Sequence, residues 1–398
     1  MEINSIFRGG RATTDQMFTL RLIMEKCYEY NITVHQLYVD FKAAYDCVER
    51  HPLYEAMHEL GIPRKLISLV KMTLRETKSK VRTKGQISDV FSIHKGLRQG
   101  DSLSCTLFNL VLENIMRKIP TNKGGTIFNR TTQNLAFADD IAMLGTNVKY
   151  LKENFHLLEE NAGNMGLRVS REKTKYMIGT RNKIRWRNLQ DFEGFERVKS
   201  FKYLGGIITE NNDVTTEIKA RLAAGNRSYY KFISFLKSSL ISRKLKTQVY
   251  TTIIKPVVLY GSETWTLTKK DEELLNLWER KILRKIYGAV KINGEWRIRT
   301  NAELKALYKK PSIATDIRAR RLRWLGHVQR MEDYRIPKKV LHAKPEGSRS
   351  IGRPRLRWLD GVEEDLRQLG VRQWKRKAAD RKRWRVEVVD KALAPHGL

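Results

Sequence analysis

The chain has 398 residues, 41% of them hydrophobic, which is enough for two or three domains with real cores. Its formal net charge of +34 and pI near 10.1 point to a polyanionic partner, DNA or RNA ahead of an acidic membrane surface. Three widely spaced cysteines, Cys27, Cys47 and Cys105, exclude a disulfide framework and supply no Cys/His cluster for zinc. No apolar run reaches membrane-spanning length and the N-terminus lacks a signal-peptide layout, so a soluble protein of the nucleus or cytoplasm is expected, with no membrane partner.

A basic turn, Phe7-Arg8-Gly9-Gly10-Arg11, opens the chain, and Phe18, Leu22 and Cys27 then share one helical face. His35 to Phe41 reads as a strand carrying Asp40 at its end. A helix begins near Pro52 and stops at Gly61, ahead of Pro63. Residues 64–80 read as a basic helix with Leu66, Leu69, Val70 and Thr73 inward, and 81–94 as strand-rich. The loop Lys95 to Ser102 leads, with Asp101 or Ser102 as N-cap, into a helix bearing Leu103, Leu107, Leu110, Val111 and Ile115. A hairpin over about 126–145 follows, then a helix with Leu151, Phe155, Leu158 and Ala162, closed by Gly163 and Gly166. Leu167–Ser170 and Tyr176–Ile178 read as strands, and Phe201–Ile208 as a hairpin with a glycine turn. Strand, helices, two strands, helix, strand is the order of a split βαβ, ferredoxin-like sheet. Such a sheet sets its first strand beside the central hairpin.

Helical spacing dominates from about 212. The stripes are Ile218-Leu222-Tyr229, then Leu245-Val249-Ile253 ended by Pro256, then Leu274, Leu275, Trp278, Ile282 and Leu283. From Pro311 onward, 23 Lys/Arg stand against 11 Asp/Glu, with Trp324, Trp358, Trp374 and Trp384 spaced for core packing rather than base stacking. Residues 345–355 read as a linker between helices. The boundaries follow these shifts of character: 1–35, 36–211, 212–290 and 291–398.

The chemistry concentrates at Leu135 to Leu144, where two apolar arms flank Asp139-Asp140. Adjacent anions at about 4 Å repel by roughly 4 kcal/mol at an effective dielectric near 20, and a divalent cation offsets that cost. Asp-Asp is also ordinary turn chemistry. The sheet order brings Asp40 to the same place across 99 positions of sequence. Three carboxylates on adjacent strand ends suit two Mg²⁺ ions and in-line phosphoryl transfer, which agrees with a nucleic-acid substrate. Asp46 reads as structural, because Asp46-Cys47-Val48-Glu49 has capping-box spacing.

Five ordered segments resemble the successive motifs of reverse transcriptases: Val39-Asp40-Phe41 through Tyr45-Asp46, Gly96 through Leu103, Phe137-Ala138-Asp139-Asp140, Gly166-Leu167 through Lys175, and Tyr203-Leu204-Gly205-Gly206. The Phe7–Arg11 turn and the tail, from Arg320 to Met331 and Gly352 to Trp358, resemble non-LTR (LINE-type) retrotransposon enzymes. The resemblance implies an α+β right-hand polymerase. Residues 1–35 are then partial fingers, 36–211 the palm, 212–290 a helical thumb and 291–398 a basic helical C-terminal region. It implies RNA-directed DNA synthesis from dNTPs on an RNA template and a DNA primer, with two Mg²⁺ or, in their place, Mn²⁺. Asp40, Asp139 and Asp140 would be catalytic and, with the Phe41 carbonyl, would hold the metals. Tyr45, Gln99, Gly100 and Lys173 would meet the dNTP, Tyr45 as the gate against ribose. Tyr203, Leu204, Gly205 and Gly206 would grip the primer. Set against the family pattern, the chain is expected to be N-terminally truncated, without most of the fingers, an endonuclease or a zinc knuckle. The alternative is a catalytically silent nucleic-acid-binding remnant of such an element.

Overall fold

The computed structural model describes residues 11–119, 132–181, 191–349 and 355–394. The Phe7–Gly10 part of the opening turn, residues 126–131 of the expected 126–145 hairpin and Gly352-Arg353-Pro354 lie outside these residues. The chain forms two compact units. The first comprises 1–16, 26–204 and 344–350, and the second comprises 17–25, 205–343 and 351–398.

A four-stranded antiparallel sheet organises the first unit: β1 (Val34–Val39), β2 (Thr132–Phe137), β3 (Asp140–Gly145) and β4 (Lys175–Gly179), in the order β2-β3-β1-β4. This is the split βαβ arrangement expected from the element order. Every residue of β1 is buried, so the strand is covered on both faces. Leu37 and Val39 join the core formed with Leu107, Phe108, Val111 and Ile115 of the helix Ser102–Lys118 and with Leu151, Phe155 and Leu158 of the helix Val148–Asn164. On the opposite face Tyr38 stacks on Phe201, with ring centroids 4.5 Å apart. Each large apolar side chain so buried stabilises the fold by roughly 1.5–3 kcal/mol. Asp101 caps the helix Ser102–Lys118 by accepting from the Leu103 amide at 3.0 Å.

Several expectations need correction. The helix after Pro63 spans only Arg64–Leu74, and its buried face is Ile67, Val70 and Leu74; Leu66 and Leu69 are exposed. The inward stripe is set by the i, i+3, i+7 row that meets the core, not by the count of leucines. Leu167–Ser170 does not form a strand. It makes one isolated bridge, Val169 to Phe41, and the Arg168 carbonyl accepts from the Lys42 amide at 2.8 Å. The Asp46–Glu49 capping box does not form either. The next helix, Arg50–Glu59, has Glu49 at its N-cap with no side-chain capping bond.

The second unit is built mainly of helices. Ile218, Leu222, Leu275, Trp278, Ile282 and Leu283 are buried together, as the spacing predicts. Leu245 and Ile253 are exposed, and Pro256 does not end its helix. Tyr250–Ile254 is a π-turn in which the Lys255 amide reaches the Tyr250 carbonyl. That wider turn rotates Tyr250, Ile254 and Val258 into the core and accommodates the proline, which has no amide to donate. Lys255 is buried against Glu279 at 3.1 Å and Asp316 at 2.5 Å. Glu279 also accepts from the Tyr250 hydroxyl and the Ile313 amide, which completes the shell of a buried ion pair. Trp324, Trp358 and Trp384 are core residues, and the indole amines of Trp358 and Trp384 donate to the carbonyls of Glu263 and Leu322. No helix of the described residues is long and apolar enough to cross a membrane.

Gly166 has φ +83°, and a Cβ there would stand 2.4 Å from the Cys47 carbonyl oxygen. Gly166→Ala combines left-handed strain with a backbone clash and should lower stability by roughly 2–4 kcal/mol. Urea unfolding measures it, and a loss below about 0.5 kcal/mol would contradict this packing.

Candidate functional site: carboxylates at the ends of adjacent strands

The backbone brings the three aspartates together. β2 and β3 pair down to Phe137 opposite Asp140, which leaves Ala138-Asp139 as a two-residue turn. Ala138 holds φ +54°, the conformation that the first turn position of a II′ hairpin demands and that glycine takes most easily. A non-glycine residue there costs on the order of 1 kcal/mol or more. β1 pairs with β3 through Val39 opposite Ile141, and one further step of that register sets Asp40 opposite Asp140.

The electrostatics carry the mark of that crowding. Burial pushes the Asp140 carboxyl up to about 6, and the Asp139 and Asp40 charges push the same way. Asp40 is also raised, first by burial and then by Asp139, while Lys173 pulls it down. Lys173 Nζ stands 3.6 Å from Asp40 Oδ1, and that buried oxygen accepts no hydrogen bond. The Asp40 backbone is clamped by Thr174 Oγ1, which accepts from its amide, and by the Ser170 amide, which donates to its carbonyl at 2.8 Å. Among the described residues no three His, Cys, Asp or Glu side chains converge as a ligand cage for a metal ion. The donor set itself nevertheless fits a hard divalent cation: oxygen donors, mutual repulsion and a buried lone pair without a hydrogen.

Around the carboxylates, Phe41 sits with its ring in the core and pairs in the bridge to Val169. Tyr45, in the short helix Ala44–Cys47, stacks on Phe108 with centroids 4.5 Å apart. Burial raises its hydroxyl pKa, and Cys105 and the Asp139 charge add to the shift. The 95–101 loop docks on this turn: the Gly96 amide donates to Val48 and the Leu97 amide to Tyr45, both at 2.8 Å. A Cβ on Gly96 would stand 2.7 Å from the Asp46 carbonyl oxygen. Gln99 Nε2 consequently lies 3.4 Å from each Asp46 carboxylate oxygen, and Gly100 turns at φ +91° into the Asp101 cap. Asp46 thus serves the loop, not a helix cap.

Sequence reasoning missed Arg50. Its guanidinium donates to the carbonyls of Leu74, Ile93, Lys95 and Gly96, which ties the loop to the helix before it. All four acceptors are backbone atoms distant in sequence, so no residue pattern announces them.

Tyr203 ends the strand Ser200–Tyr203. It is buried, its hydroxyl donates to the Leu135 carbonyl at 3.3 Å, and its ring lies 5.6 Å from Tyr38. Leu204 and Gly205 form the glycine turn, at φ +48° and +80°, before the strand Gly206–Thr209. In the second unit the Gly205 carbonyl accepts from Arg221, whose guanidinium lies over the Tyr260 ring at 4.6 Å.

Asp140 should make metal-free stability depend on pH. Its folded proton affinity is raised, so its contribution is full below the ordinary carboxylate range, near pH 4, and is lost as pH rises through about 6. Asp140→Asn should flatten that slope in EDTA and, with solvent screening allowed for, gain on the order of 1 kcal/mol at neutral pH. Thermal melts across pH measure it, and an unchanged slope would refute the crowding.

The family model for reverse transcriptase (RNA-dependent DNA polymerase) matches residues 5–208, half of the chain. A putative uncharacterized transposon-derived protein of Caenorhabditis elegans is 24% identical, over 52% of this chain and 75% of its own length. The Retrovirus-related Pol polyprotein from type-2 retrotransposable element R2DM of Drosophila melanogaster is 22% identical over 48% of this chain, which spans only 19% of that polyprotein. Among solved structures, a telomerase from Candida tropicalis aligns at TM-score 0.39 and 14% identity, over 83% of this chain and 52% of its own. The ordered motifs, the sheet that joins them and the half-chain match make this chain a member of the reverse transcriptase family.

Proposed function

We propose that this chain is an RNA-directed DNA polymerase that extends a DNA primer on an RNA template with dNTPs. The observation that carries the reading is the trio Asp40, Asp139 and Asp140 on adjacent strand ends, inside the stretch that matches the family model. Residues 36–211 would serve as palm, 212–290 as thumb, 291–398 as a basic helical region and 1–35 as part of the fingers. Work on nucleic acid would place the protein in the nucleus or cytoplasm.

Asp40 and Asp139, with the Phe41 carbonyl and with Asp140 in support, would hold two Mg²⁺ ions or Mn²⁺. Bound there, the ions would neutralise phosphate charge and stabilise the attacking and leaving oxygens of an in-line displacement. The protein groups position the reactants. The Tyr45 ring, held flat against Phe108, would present a fixed wall to the sugar and exclude a 2′-hydroxyl. Gln99 and Gly100, on the loop locked by Gly96 and Arg50, would meet the nucleotide. Lys173 already faces a carboxylate at 3.6 Å and would balance charge as the triphosphate arrives. Tyr203 through Gly206 would support the primer end.

With a primed RNA template, dNTPs and Mg²⁺, the chain should extend the primer, and Asp139→Ala should cut extension at least about a hundredfold. Equal product from the variant would sink the assignment. A silent remnant would bind nucleic acid with strong salt dependence and extend nothing in any template format. Tyr45→Ala should raise ribonucleotide incorporation relative to deoxynucleotide by about tenfold or more, read by sequencing-gel analysis of the products. An unaltered ratio would remove the gate from Tyr45.

A further inference from the structure

The second unit carries a cavity that neither the family match nor the carboxylate chemistry uses. It lies between the helices Val214–Lys231 and Lys269–Tyr287 and has a volume of about 710 Å³. That is inside the roughly 300–1,000 Å³ range of small-ligand sites. Its floor is apolar, from Leu222, Trp278 and Ile282. The Trp278 ring is fixed, since its indole amine donates to Asn226 Oδ1 at 2.8 Å. Tyr230 lines the same cavity and is 64% exposed, so a large ring is held in water beside a fixed aromatic floor.

The charge of the wall is one-sided. Lys281, Lys285, Arg284 and Arg299 line it and no Asp or Glu does. Arg284 donates to the Asn301 side chain and the Arg299 carbonyl, and Arg299 donates to the carbonyls of Gly288 and Ala289. None of these four cations has a carboxylate partner among the described residues. Lys281 and Lys285 stand four apart on one helix, a like-charge pair that costs the free protein a few tenths of a kcal/mol. The occupant must therefore combine negative charge with a flat apolar body.

We infer that this cavity binds an unpaired nucleotide of a single-stranded nucleic acid, with the base against Tyr230 and the Trp278 floor and the flanking phosphates on the cationic wall. Bases inside a duplex offer no free face to such a cavity, whereas those of a single strand do. The charge complementarity selects a polyanion over an apolar peptide.

Fluorescence anisotropy with the full chain tests it, in the absence of metal, primer and dNTP. The probes are a labelled oligothymidylate, an abasic strand of equal length and a blunt duplex. Because no polymerisation is involved, failure of the polymerase reading leaves this result intact, and the reverse holds as well. Tyr230→Ala should weaken oligothymidylate binding roughly 5- to 100-fold and leave the abasic strand and the duplex within about twofold. Tyr230→Phe should bind as the parent does. Lys281→Gln and Lys285→Gln should each lower the slope of log affinity against log salt by about 0.7. Parental binding of oligothymidylate by Tyr230→Ala would overturn the inference. Equal losses on all three probes would overturn it too, because the ring would then not be reading a base.

Discussion

Like charges held together by backbone pairing are the constraint on which the first unit turns. Asp40, Asp139 and Asp140 cannot move apart, because β1 and β3 are locked in register and packed into the core through Leu37, Val39, Ile141 and Met143. The strain surfaces as raised proton affinity at Asp140 and Asp40 and as a left-handed alanine in the turn. A tenfold change in proton affinity is worth about 1.4 kcal/mol, and partial exposure to water screens it, so the core opposes a local cost on the order of 1 kcal/mol at Asp140. Perturbed carboxylates and backbone strain gathered at one strand end support the proposed catalytic role of these aspartates.

The surroundings are arranged to hold that strand end rigid. The turn Ala43–Cys47 is approached from both sides by glycines, Gly96 against the Asp46 carbonyl and Gly166 against the Cys47 carbonyl. A side chain at either would push the turn, and with it Tyr45, away from Phe108. Arg50 fastens the neighbouring loop through four backbone acceptors, so the Gln99 position depends on one half-buried fork of donors.

The second unit shows that net charge is a blunt guide to where a polyanion binds. Many of its cations are used internally. Lys255 is buried between Glu279 and Asp316, Arg318 is bonded to Glu272, and buried Arg321 faces Asp365 while its guanidinium lies over Trp358. The cations that matter for a ligand are those without a carboxylate, and on the Lys269–Tyr287 helix these gather beside an aromatic floor.

Local spacing by itself determined much of the fold and the candidate site. The strand before Asp40, the Asp139-Asp140 hairpin, the Asp101 cap and the order of elements that makes the sheet are all written in short-range pattern. Such features depend on periodicity and turn chemistry within a few residues. Tertiary structure alone decided which helix face turns inward, as with Ile67 instead of Leu66 and Leu69. It also decided where a π-turn carries a helix past Pro256, which partner Asp46 takes, and that Arg50 grips four carbonyls. The physical reason is the same in each case: these outcomes are chosen by contact with other elements of the chain, and a local window contains no information about them.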